Sequence, residues 1–148
     1  MTCRIHPNLH GYVVLLTAGA LAALPAGCGQ TKLVPVSGRV TIDHKPLTTG
    51  NVTFKPDKSK GNTFTGEPTG EINSSGEYTL TTNGKPGAPA GWYKVIVPAN
   101  AAFDPSDPSK AKPKWLVNSR YLADSTTTLE KEVVATPQPG AYDLDLTP

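Results

Sequence analysis

The sequence predicts an all-β protein, a seven-stranded antiparallel β-sandwich behind a short apolar leader. Three observations carry that expectation. From Pro35 onward, apolar residues recur with period two, the mark of strands with one buried face. The 148 residues include 15 prolines and 14 glycines, which punctuate the chain with turns. After Val34 no stretch sustains the 3.6-residue apolar period of an amphipathic helix.

The strands follow in order. Val36, Gly38, Val40 and Ile42 alternate with Ser37, Arg39, Thr41 and Asp43, and Asp43-His44-Lys45-Pro46 then turns the chain. Val52 and Phe54 alternate with Thr53 and Lys55 in a second strand that Pro56 ends, before a charged loop over 57–62. A third strand near 69–72 is expected to form a hairpin with a fourth over 77–82, through Asn73-Ser74-Ser75-Gly76. Residues 83–90 read as a Gly/Pro loop. Gly91 opens a fifth strand with Tyr93, Val95 and Val97 on one face and Trp92, Lys94 and Ile96 on the other. Residues 129–134 make a sixth, and Tyr142, Leu144 and Leu146 alternate with Asp143 and Asp145 in the last. The exception is a long loop over 98–128. Within it 99–114 is expected to be mobile and 115–122 to pack back on the sandwich.

Composition narrows the function. Lys and Arg number 14 against 12 Asp and Glu, a net charge of +2 without a basic cluster, so no nucleic-acid footprint is present. Two cysteines are too few for a disulfide framework or a four-cysteine zinc site. Residues 11–24 are free of charge; as a helix they would extend about 21 Å, short of a hydrocarbon core of about 30 Å. That length, at the N-terminus and followed by Pro25, Ala26 and Gly27, reads as a secretory signal peptide over 1–27.

Leu24-Pro25-Ala26-Gly27-Cys28 resembles a bacterial lipobox, in which small residues precede a cysteine that becomes lipid-modified. The resemblance implies lipidation of Cys28, removal of 1–27 and an anchor linker over 28–34. Gly29 stands where Asp often marks inner-membrane retention in such lipoproteins, so the implied position is the outer membrane, facing the periplasm. Cleavage after a small residue such as Ala26, giving a secreted protein, is the alternative. Removing 27 of the 148 residues leaves 121, with Cys28 the sole cysteine and His44 the sole histidine.

A second resemblance covers 34–146. Val36, Gly38, Val40, Asp43, Lys45, Pro46 and Leu47 match the opening motif of carboxypeptidase regulatory-like domains. Gly76, Tyr78 and Leu80 match their hairpin, with Asn73 where Asp is usual, and Gly91, Tyr93, Val95 and Val97 match their G-x-Y-x-V-x-V strand. The resemblance implies a transthyretin-like or Ig-like sandwich over 35–148. It departs at His44, where the family turn has Gly, so a different turn or some backbone strain is expected there.

No catalytic residue, metal or cofactor is expected. His44 reads as an exposed turn residue, since lone imidazole chemistry would lack partners. Residues 73–77 and Asp104-Pro105-Ser106-Asp107 read as turn and solvated loop, because neither has the acidic spacing of a calcium loop. Asp143 and Asp145 share one strand face, roughly 7 Å apart, and read as charges guarding a sheet edge. Trp92, Trp115 and Tyr121 are the candidate ligand-contact residues, as exposed aromatics able to stack on sugars or partners. Lys110, Lys112 and Lys114 form a solvated run that could meet anionic head groups. The expected function is a lipid-anchored envelope protein, held to the membrane at Cys28. Its β domain would serve as a non-catalytic structural or interaction module for an unknown envelope protein or polysaccharide. The alternative is a carbohydrate-binding accessory module.

Overall fold

A computed structural model describes residues 31–101 and 114–148. The leader, Cys28 and most of the segment expected to be mobile, with Asp104, Asp107, Lys110 and Lys112, lie outside the described residues. The described chain is all-β: twelve strand segments, two short 3-10 turns at Lys58–Lys60 and Ser119–Leu122, and no α-helix.

The strands are β1 (Leu33–Val34), β2 (Ser37–Ile42), β3 (Lys45–Pro46), β4 (Asn51–Pro56), β5 (Thr69–Glu71) and β6 (Glu77–Thr79). They continue with β7 (Thr81–Thr82), β8 (Lys85–Pro86), β9 (Ala88–Pro89), β10 (Gly91–Ile96), β11 (Glu130–Val133) and β12 (Leu144–Leu146). The larger sheet runs β11-β10-β4-β5-β7-β8. The smaller runs β12-β2-β3, with β6 also on β2, and β1 pairs β9 separately. Val36, Val40, Tyr78, Leu144 and Leu146 from the smaller sheet and its margins share one buried cluster with Val52, Phe54, Tyr93, Val95 and Val133 from the larger. Each such side chain contributes about 2 kcal/mol by leaving water.

Two expectations need correction. The expected hairpin between the third and fourth strands forms at its two ends, through Thr69↔Thr81 and through the Asn73 N–H, which donates to the Glu77 carbonyl at 2.9 Å, but the fourth strand is not one continuous element of it. Its first half, β6, pairs β2 through Ser37↔Thr79, Gly38↔Tyr78 and Arg39↔Glu77, and only its second half, β7, pairs β5. The expected fourth strand therefore changes sheets at Leu80. There the buried Leu80 donates its N–H to the Val36 carbonyl at 2.9 Å and accepts from the Gly87 N–H at 2.7 Å. The sheets are also not antiparallel throughout. β12 lies parallel to β2, with Leu144 beside Val40 and Leu146 beside Ile42. It arrives from β11, which belongs to the other sheet, so no tight hairpin forces an antiparallel partner.

Turn chemistry sets the registers. Asp43 and His44 both take positive φ, 49° and 63°, as in a type I′ turn, and close a two-residue hairpin in which Ile42 faces Lys45. Asn83 and Gly84, at 50° and 76°, do the same between β7 and β8, inside the stretch expected to be loop. In β2, Gly38 lets backbone cross backbone: a Cβ there would sit 2.4 Å from the Tyr142 carbonyl oxygen. Tyr78, beside Gly38 in the register, donates its hydroxyl to that same oxygen at 2.6 Å.

Candidate binding cleft

The outer face of β10 carries Trp92, Lys94 and Ile96, all half-buried, while Tyr93 and Val95 point into the core. The loop after β4 folds along this edge, and polar side chains hold it to backbone. Asp57 donates its N–H to the Trp92 carbonyl at 2.9 Å. Asn62 is buried and spans the gap: its amide nitrogen donates to the Trp92 carbonyl at 2.8 Å, and its Oδ1 accepts from the Phe64 N–H at 3.1 Å. Gly91 makes room for it, since a Cβ there would lie 2.9 Å from the Asn62 Nδ2, and its φ of 142° disfavours other residues.

Asp57 also caps the 3-10 turn at Lys58–Lys60, its Oδ1 accepting from the Ser59 N–H at 3.0 Å and from the Ser59 hydroxyl at 2.6 Å. Its Oδ2 is buried without a partner. The Ser59 hydroxyl bond does most to hold the Asp57 carboxyl below its ordinary range. The Ser59 N–H bond and the charges of Lys94 and Lys60 assist, and together they outweigh burial, which pushes the other way.

These clamps leave an open cleft of about 540 Å³ whose wall includes Thr31, Lys60, Asn62, Phe64, Pro89 and Trp92. Lys60 places its ammonium 3.9 Å from the centroid of the Trp92 ring, a cation–π contact, and also pairs with Glu130. The lining offers aromatic faces, hydroxyls and a cation.

The three aromatic candidates part company. Trp92 lines the cleft. Trp115 is 45 % exposed and forms an isolated bridge with Asn100, beyond the far end of β10. The eight residues from Trp92 to Asn100 span on the order of 25 Å when extended, so the two indoles do not form one platform. Tyr121 is a correction: it is 3 % exposed, and its hydroxyl shares a bond with the Thr147 hydroxyl at 3.0 Å and accepts from the Thr147 N–H at 3.2 Å. Its backbone carbonyl takes the Val97 N–H at 2.8 Å. The Ser119–Leu122 turn seats this ring in the core, so it is not an exposed stacking surface.

His44 lies at an exposed turn, with its Nδ1 2.9 Å from the Asp145 carboxylate. That pair is solvated and worth little by itself. The Thr41 hydroxyl, at 2.7 Å, contributes most to lowering the Asp145 pKa, ahead of the His44 backbone and charge. Asp143 accepts the Arg39 N–H at 2.8 Å, so both acidic residues fasten β12 to β2 and its turn. Asn73 Oδ1 accepts the N–H groups of Ser75 and Glu77, each at 2.9 Å, which makes that segment a side-chain-closed turn. Among the described residues no three His, Cys, Asp or Glu side chains meet in a metal-ligating group. No helix among them is long and apolar enough to cross a membrane.

Lys60, Asn62 and Phe64 were not legible as site residues. In sequence Lys60 and Asn62 sit in a charged loop and Phe64 just beyond it, and only the Trp92 carbonyl, thirty positions away, gives Asn62 its role. No protein-family model matches the chain, and neither a curated protein nor a solved structure does.

Proposed function

We propose that this chain is a lipid-anchored cell-envelope protein, held to the outer membrane at Cys28, whose β domain is a non-catalytic structural or interaction module. In this reading 1–27 is a cleaved signal peptide, and the domain is a carboxypeptidase regulatory-like sandwich. Its seven strands are β2, β4, β5, the β6–β7 pair, β10, β11 and β12. The observation that carries it is the string Leu24-Pro25-Ala26-Gly27-Cys28 behind an uncharged run of signal-peptide length, with the first strand opening at Leu33, five residues later. The positive φ of Asp43 and His44 supports the family assignment, because the family motif keeps a Gly in that turn. Cysteine suits the anchor because its thiolate forms a stable thioether, and two or three acyl chains together bind a bilayer durably.

Mass spectrometry of the mature N-terminus, wild type beside Cys28→Ala, tests the reading. The expected result is a chain beginning at Cys28 with acyl mass on that residue, lost in the variant. An unmodified start elsewhere overturns the anchor and leaves a secreted protein. The open Trp92 cleft favours one second reading, a carbohydrate-binding accessory module. Trp92→Ala would then abolish retention on envelope polysaccharide.

A further inference from the structure

We propose that the Trp92 cleft is the face the domain turns toward the bilayer, with Trp92 and Lys60 seated among phosphate-bearing lipid head groups. The inference rests on the anchor at Cys28 and adds to it an orientation and a contact.

Strand register supplies the first observation. β1 runs antiparallel to β9, with Leu33 opposite Pro89 and Val34 opposite Ala88. Followed backward from Leu33, the chain therefore heads toward Gly91 and Trp92, and Thr31 lines the cleft beside them. The tether leaves the domain at this cleft and not at the Trp115 end.

Chain length supplies the second. Only Gly29 and Gln30 separate Cys28 from Thr31, a three-step reach of at most about 10 Å. The head-group layer on each side of the hydrocarbon core is itself roughly 5–8 Å thick. A thioether-linked Cys28 at the base of that layer keeps the cleft wall within or just above it. The domain has no slack to turn this face away.

The side chains suit that position. An indole, apolar in its body with one N–H, is favoured at the membrane–water boundary. Lys60 lays its stem along Trp92 and carries its ammonium over the ring, 3.9 Å from the centroid, where a phosphate oxygen can share it with Glu130. Phe64 adds a second, half-buried ring to the same wall.

The chain has only two tryptophans, one at each end of the β10 path, so it carries its own control. The acylated mature protein, beginning at Cys28, is reconstituted in vesicles of phosphatidylethanolamine and phosphatidylglycerol bearing a quencher near the head group. Trp115→Phe leaves Trp92 as the sole indole, and Trp92→Phe leaves Trp115. In Trp115→Phe, which changes an exposed residue, most of the emission should be lost; in Trp92→Phe it should persist. Equal quenching of the two, or a spared Trp92, overturns the proposal. A spared Trp92 whose emission shifts with soluble envelope polysaccharide would assign the cleft to a sugar instead. The mass of Cys28 is measured on the same sample. An acylated chain with a spared Trp92 sinks the orientation and leaves the anchor standing; an unacylated Cys28 sinks the anchor and the orientation with it.

Discussion

The flank where Gly38, Tyr78 and Tyr142 meet and the flank where Asp57, Asn62 and Trp92 meet solve the same task by different means. Both must hold an irregular segment against a sheet. On the first, the missing side chain of Gly38 lets the Tyr142 backbone lie directly on β2, and a buried phenol closes the contact at 2.6 Å. On the second, the Asn62 side-chain amide and the Asp57 backbone N–H reach across to the Trp92 carbonyl, with the Asp57 carboxylate capping the turn that follows, and they leave space around it, about 540 Å³. An open cleft lies beside each contact, about 510 Å³ along Gly38, Tyr78 and Asp143 and about 540 Å³ along Asn62 and Trp92. The strutted one adds the half-buried rings of Trp92 and Phe64 and the Lys60 ammonium, whereas the one ring in the other, Tyr78, is buried.

The contrast can be broken at its packed side first. Gly38→Ala should cost about 3 kcal/mol, because the new Cβ meets backbone, which cannot rotate away. A urea midpoint within experimental scatter of wild type would show that the crossing is looser than its geometry. On the strutted side Asn62→Ala removes two hydrogen bonds and strands the Phe64 N–H, for about 2 kcal/mol. Because the strut sets the cleft, Trp92 emission should change in the still-folded variant, whereas in Gly38→Ala it should not.

The smallest expected effect separates the flanks by pH. The Asp57 carboxyl is held below its ordinary value, so the stability it contributes is present above about 3.8 and is lost as pH falls through the depressed value. Burial, with the nearby charge of Asp143 assisting, raises the Tyr78 phenol above its ordinary value of about 10. Its contribution is therefore intact below that pH and is lost as pH rises further. Denaturation midpoints read along the pH scale should lose the acid limb in Asp57→Asn and the alkaline limb in Tyr78→Phe. Exchange of those two effects between the variants would contradict the assignment.

Local pattern was legible wherever a strand alternates. Val40 with Ile42, Val52 with Phe54, Tyr93 with Val95, and Leu144 with Leu146 were readable because one face of each strand meets the core whatever its neighbour is. Asn83-Gly84 carried a hairpin signal too, although the surrounding prolines and glycines read as loop. Pairing was not legible. Leu80 looks like any inward residue of a continuous strand, yet its two hydrogen bonds run to Val36 and Gly87, and the strand changes sheets there. Tyr121 shows the same limit in part: the return of 115–122 to the sandwich was readable, but not that the Ser119–Leu122 turn buries this ring against Thr147.

By itself the sequence determined the period-two faces, the turns, the uncharged run over 11–24 and the cysteine that follows it, because each follows from neighbours a few residues apart. Tertiary structure alone decided that β12 runs parallel to β2 and that β1, paired with β9, brings Thr31 to the cleft beside Trp92. It also decided that Asn62 props a cleft open. Those outcomes depend on which distant backbone groups meet, and hydrogen bonds between segments tens of residues apart leave no local periodicity to read.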